Sequence, residues 1–292
     1  MNSDGISLKE FLEIAFNNVR TIIFLTGLFF LCSVFYSINL PNLYSSSALL
    51  ASSKKENPVD VFSQLGGLAG LGDISFQDKS SKTIEALERI NTFDFFSKFF
   101  LPNISLKNLI AVKNWNSKNN SLSYYSDMFE DSEQTILKSF SIQDSFEIYK
   151  KIITISQDQK TSFIKLSVKH QSPYIAKKFT EIIIYQINES MREEEKKKTS
   201  KSIDFLNFQT SQTQYGEVRN ALSKLQEEQM KALMLIESDD SYVLKTLDSP
   251  VAPEKKSEPI RLFIVFLGTL IGFLISILLV FSRHYFKEYN KK

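Results

Sequence analysis

Two apolar stretches, residues 21–40 and 262–281, stand near opposite ends of a 292-residue chain, and neither contains an Asp, Glu, Lys or Arg. At ~1.5 Å of rise per residue, about 20 helical residues cross the ~30 Å hydrocarbon core of a bilayer. Such a chain is expected to form two membrane helices that hold one charged, water-soluble block between them. The second stretch, LFIVFLGTLIGFLISILLVF, is Leu, Ile, Val and Phe apart from Gly268, Thr269, Gly272 and Ser276. The first, TIIFLTGLFFLCSVFYSINL, is weaker because Thr26, Ser33, Ser37 and Asn39 interrupt it. A cleaved signal would place about 7–15 apolar residues behind a cationic start. This stretch is longer and follows Asp4, Glu10 and Glu13, so it reads as a retained anchor. A core helix of a soluble protein is the other reading, but two such helices are hard to bury in a block this polar.

Orientation follows from basic residues near the membrane, which are enriched on cytoplasmic flanks. Lys9 and Arg20 precede the first stretch, and Arg283, Lys287, Lys291 and Lys292 follow the second. The opposite flanks carry Lys54, Lys55, Lys255, Lys256 and Arg261, a modest asymmetry that puts both termini in the cytoplasm. The expected organisation is a cytoplasmic start at 1–20, a span at 21–40, a periplasmic domain at 41–259, a second span at 260–282 and a tail at 283–292. That tail leaves no room for a cytoplasmic catalytic domain.

Composition closes several routes. The net charge is +2, and no Arg-rich face interleaved with aromatics stands out, which disfavours nucleic acid as a partner. Cys32, the single cysteine, lies in the first apolar stretch and reads as a packing residue. His170 and His284 fall on opposite sides of the membrane in this topology, so no His-rich metal site, catalytic triad or cofactor is expected. The run Gly66-Gly67-Leu68-Ala69-Gly70-Leu71-Gly72 is not a phosphate loop. Asp73 and Ile74 follow it where Lys and Ser or Thr would be needed.

Along the soluble block, 44–51 alternates as a strand and 52–58 reads as a turn or loop. Ile84, Leu87 and Ile90 recur at helical spacing, in a helix expected to run from Ser80 through the Phe-rich region to Pro102. The Phe cluster reads as core. Residues 131–140 read as helix, and 114–120, with Trp115, as loop. The residues 148–156 and 162–169 read as a hairpin turning through 157–160. Pro173 suits a first helical turn, and no further Pro and only Gly216 interrupts helix-favouring sequence to about residue 237. Unbroken, that helix would reach about 95 Å. The Glu193-Glu194-Glu195 and Lys196-Lys197-Lys198 blocks put opposite charges three or four residues apart, as a solvated helix needs. A helix of this length exceeds what its own domain can cover, so neighbouring subunits are expected beside it. Residues 241–247 read as a strand returning to the sheet, and Pro250, Pro253 and Pro259 stiffen the approach to the second span.

The segments SPYIAKKFTEIIIYQIN, SKSIDFLNFQTSQTQYGEVRNALSKLQEEQMKALML and SYVLKTLDSP, the three prolines and the glycine-containing second span resemble the polysaccharide chain-length determinant, or Wzz-type co-polymerase, family. SSALLASS and GGLAGLG add to the likeness, whereas 105–147 matches loosely. The resemblance implies an α+β inner-membrane protein whose two transmembrane helices flank a periplasmic domain with an α/β base and a long protruding helix, here about 173–237. It implies a non-catalytic, ring-like homo-oligomer that regulates the length of O-antigen or a related surface glycan. Its partners would be the membrane glycan polymerase and its lipid-linked polysaccharide. Within the matched second span, Gly268 and Gly272 form a GxxxG step that lets helices approach closely, and Ser276 extends the small-residue face. The alternatives are a capsule or exopolysaccharide export adaptor working with a separate tyrosine kinase, a two-helix periplasmic sensory protein, or a periplasmic enzyme whose carboxylates come from distant segments.

Overall fold

The computed structural model describes residues 14, 16–53, 79–125, 141–238 and 241–289. The expected helix at 131–140 and the glycine run at 66–72 lie outside them. The chain divides into two units, Met1–Leu43 with Lys255–Lys292, and Tyr44–Glu254.

The first unit holds α1 (Val19–Asn39) and α8 (Arg261–Tyr289), both long and apolar enough to cross a membrane. Helix α8 continues past the apolar stretch through Arg283 to Tyr289. Phe24, Phe35, Phe263 and Phe266 are each more than half exposed, as lipid-facing residues would be.

In the second unit, β1 (Tyr44–Ser52), β4 (Ile153–Gln157), β5 (Ile164–His170) and β6 (Leu244–Asp248) form a sheet in the order β4-β5-β1-β6. All three pairings are antiparallel. Alternation sets the buried face: Ser46, Ala48 and Leu50 of β1 and Ile164, Leu166, Val168 and His170 of β5 are buried. A helix, α6 (Pro173–Gln212), lays Ile175, Phe179, Ile183 and Ile187 into the same core, four residues apart and so on one face.

The Phe-rich region departs from one continuous helix. After α2 (Lys79–Ile90) the chain breaks at Asn91, and Thr92 caps a new start by accepting the Phe95 N–H at 3.2 Å. The short α3 (Phe93–Phe95) passes into a π-helical turn over Phe96–Phe100 and a 3₁₀ turn over Leu101–Asn103. This winding turns Phe95, Phe96 and Phe100 all inward, as the core reading required. Tyr149 packs on Phe96 and Phe100 at 5.0 and 4.8 Å between ring centroids, and its hydroxyl donates to the Ile90 carbonyl at 2.9 Å. Burial pushes the Tyr149 hydroxyl pKa upward, so it stays a donor.

Two further expectations are corrected. Residues 148–152 are helical, in α5 (Ile142–Ile152), not part of the strand. The helix begins at a capping box made by Ser141 and Asp144, and its face must carry Phe146 and Tyr149 together to the Phe cluster. Only 153–157 form the first arm of the hairpin with β5. The supposed loop 114–120 largely belongs to a hairpin after the short α4 (Leu106–Ile110), formed by β2 (Val112–Asn116) and β3 (Ser121–Tyr124). Asn120 takes φ 46°, a left-handed turn position that Asn tolerates, and Trp115 pairs with Leu122.

The long helix over 173–237 is also not continuous. It ends at Gln212 and restarts as α7 (Gly216–Glu237), with Thr213 and Tyr215 in extended backbone. At its end, Ser211 Oγ and Thr213 Oγ1 donate to the carbonyls of Phe208 and Gln209 at 2.6 and 2.8 Å. The chain folds back: Lys196 pairs with Glu237 at 2.5 Å, and Phe205 and Leu206 line one cleft with Leu225. Helix α6 is thus covered in part by α7.

Two buried polar side chains fasten this unit. Asn188 on α6 accepts the N–H groups of Val243 and Leu244 at 2.9 Å each and donates to the Leu244 carbonyl at 2.9 Å. His170 accepts the Ser172 N–H at Nδ1 (2.9 Å), which leaves Nε2–H to donate to the Asn108 carbonyl at 2.8 Å. Burial is the main cause that lowers the His170 pKa to about 4, and its bonds to Asn108 and Ser172 only partly oppose this.

Replacing Asn188 with Leu strips partners from buried backbone groups, and a stability loss of about 3 kcal/mol or more is expected in chemical unfolding; a loss below ~1 kcal/mol would contradict the role assigned to the amide. For His170 the unfolded chain takes up its proton near pH 6.5 and the folded chain only near pH 4. The His170 contribution is therefore intact above about pH 6.5 and is lost as pH falls toward about 4, by up to ~3 kcal/mol. A His170→Gln variant should lose that part of the slope when stability is followed against pH.

Candidate functional site

In the first unit, the GxxxG face of α8 lies against α1. A Cβ added at Gly268 would fall 2.5 Å from Ser33 Cβ, and one at Gly272 would fall 2.3 Å from Phe29 Cβ. Both are well inside contact distance, so only glycine admits this approach. One turn on, Ser276 is fully buried and its Oγ lies 3.2 Å from Thr26 Oγ1. The structure thus brings Gly268, Gly272 and Ser276 together against one helix of the same chain. An apolar groove beside them is lined by Phe29, Cys32, Tyr36, Phe263 and Leu267.

The three prolines are not brought to one site. Pro250 is buried in the second unit, where the neighbouring Val251 carbonyl accepts from Ser46 Oγ at 2.8 Å. Pro253 and Pro259 are half-buried. Just before Pro259, Glu258 bridges to Leu43: the Leu43 N–H donates to the Glu258 carbonyl at 2.9 Å.

The charged block of α6 is more than a solvated face. Glu194 receives Arg89 of α2 at 2.5 Å and Lys198 of its own helix at 2.8 Å. The hydrogen bond from Lys198, then that from Arg89, holds the Glu194 carboxyl below its usual pKa. Glu195 meets Lys82 at 3.3 Å, and Lys82 also donates to Tyr242 at 3.3 Å. Arg192 pairs with Glu189 within α6. With the Lys196–Glu237 pair these bonds tie α2, α6 and α7, and Arg89, Glu189, Arg192, Glu194, Lys196 and Glu237 line one open cleft where their charges neutralise one another. Beyond the cleft the helical hairpin exposes Phe205, Phe208, Tyr215, Val218 and Met234.

Among the described residues, no group of His, Cys, Asp and Glu is placed to hold a metal ion. His170 is committed to two backbone partners, and Cys32 is exposed on α1. Sequence reasoning missed Asn188, whose type and position in a long helix give no hint of the strand it captures. Trp115, to which the sequence assigned no role, packs edge-on against Tyr44 and Tyr174.

Comparison with known proteins bears on the first part of the chain. Residues 4–99 match the family model described as Wzz, chain length determinant protein. The chain is also similar to a full-length bacterial polysaccharide co-polymerase, at 13% identity over 99% of this chain and 100% of the other, with a TM-score of 0.42. A fragment of WzzB, polysaccharide co-polymerase from Salmonella Typhimurium, is similar at 13% identity over 74% of this chain and 99% of the fragment, with a TM-score of 0.35. No curated protein matches the chain. The family match thus covers the first third of the chain, with the first candidate span and strand β1 inside it.

Proposed function

We propose that this chain regulates the length of a surface polysaccharide, O-antigen or a related glycan, as a non-catalytic partner of the membrane polymerase. The observation that carries the reading is the match of residues 4–99 to the chain length determinant family model. Two candidate membrane spans bound the soluble unit in the sequence, which suits a protein that works on a lipid-linked glycan at the membrane. In this reading the chain is an inner-membrane protein with both termini in the cytoplasm and residues 41–259 in the periplasm. It acts as a ring-like homo-oligomer, with the exposed Phe205, Phe208, Tyr215 and Met234 of the hairpin as candidates for subunit contacts. Within each subunit, Gly268, Gly272 and Ser276 set the packing of the membrane helices, and Pro250, Pro253 and Pro259 fix the path into α8. Neither the export-adaptor nor the sensory reading gains an observation of its own.

Deleting the gene and resolving surface lipopolysaccharide on a gel tests the function. The modal band should disappear and return on complementation; an unchanged distribution of chain lengths in both strains would overturn the reading. The packing role is tested separately. In a Cys32→Ala background, Thr26→Cys with Ser276→Cys should form a disulfide on mild oxidation, because the native oxygens are 3.2 Å apart. Adding Gly268→Leu and Gly272→Leu should abolish that cross-link, and its survival would show that the glycines do not set the helix approach.

A further inference from the structure

We propose that the β2–β3 hairpin and the first residue of β1 dock on the lipid surface, with Trp115, Tyr44 and Tyr174 at headgroup level and Lys113 and Lys118 facing anionic lipid. The inference rests on α1 crossing the membrane and not on the chain-length reading.

Three observations carry it. First, the aromatic group reaches the surface, with Trp115 and Tyr44 half-buried and Tyr174 exposed. Trp115 meets Tyr44 and Tyr174 edge-on, with centroids 5.3 and 6.1 Å apart, while Tyr174 is 53% exposed. The Trp115 indole N–H donates to Asn120 at 2.8 Å within its own hairpin, so the ring needs no further polar partner on its apolar side. Trp and Tyr rings, apolar in body and polar at one edge, concentrate where bilayer meets water.

Second, charge is of one sign. Residues 105–125 carry Lys107, Lys113 and Lys118 and no Asp or Glu. Lys113 lies over the Tyr125 ring at 5.8 Å, and both Lys113 and Lys118 are exposed. A lysine near an anionic leaflet is drawn to it with about a fivefold factor in association.

Third, the tether is short. Helix α1 ends at Asn39 and β1 opens at Tyr44, with only Leu40, Pro41, Asn42 and Leu43 between them. Even fully extended, at ~3.5 Å per residue, that chain spans less than about 20 Å. The headgroup layer is itself about 5–8 Å thick, so the tether keeps Tyr44 and the rings packed on it near that layer.

Trp115 is the only tryptophan in the chain, so its emission reports on this site alone. The full-length protein is reconstituted in nanodiscs of phosphatidylethanolamine and phosphatidylglycerol, with and without a headgroup nitroxide. Docking predicts strong quenching by the nitroxide lipid and shielding from aqueous iodide. Lys113→Gln with Lys118→Gln should weaken the lipid quenching in discs containing phosphatidylglycerol, by about fivefold per lysine in the docking equilibrium, and leave purely zwitterionic discs unaffected. Emission that is blind to the nitroxide and open to iodide overturns the proposal. So does emission that ignores the lipid but shifts on adding dextran, which would reassign the rings to sugar stacking.

Discussion

The second unit depends on one side-chain amide. Strand β6 is short and lies at the sheet edge, paired only with the second half of β1. Alone, so brief an edge strand would fray. Asn188 prevents this by capturing backbone groups of Val243 and Leu244 from the buried face of α6. An amide can serve a donor and an acceptor at once, which neither a carboxylate nor a lysine can do. Because β6 leads into the proline segment and then α8, the path of the chain toward its second span starts from this contact.

The fold was legible wherever pattern and burial coincide. The two long apolar helices declared themselves by uncharged length, and β5 by strict alternation of Ile164, Leu166 and Val168. Pro173 marked the first turn of α6 and 241–247 gave the returning strand to within a few residues. Errors arose where local chemistry outvotes periodicity. Ile148, Ile152 and Ile153 are β-branched, yet a capping box and the demand to bury Tyr149 make most of that run helical. Trp115 sat among Asn and Ser residues that advertise a loop, though a left-handed Asn120 makes them a hairpin. The sequence offered Gly216 as the one interruption of 173–237, and the break falls just before it, at residues 213–215.

The candidate site shows the same division. Spacing alone put Gly268, Gly272 and Ser276 on one helix face, because that needs only the helical repeat. What they face, Ser33, Phe29 and Thr26, depends on the register between two distant segments, and no local pattern encodes it. The charge block on α6 was read correctly for Lys198 and Glu194, which are one turn apart. Its pairs with Arg89, Lys82 and Glu237 join residues far apart in sequence and become visible only when the helices are assembled.

The strand order carries a mechanical consequence. β1 and β6 are antiparallel neighbours, so the residue where the chain enters from the first span and the residue where it departs for the second lie at the same end of one ladder. A force drawing those two ends apart would not slide the strands past each other with all bonds loaded together. It would open the ladder like a zip, from the Ser46–Val251 bond into β6, breaking one weak link at a time. The soft direction of the second unit is therefore the one that draws the start of β1 and the end of β6 apart.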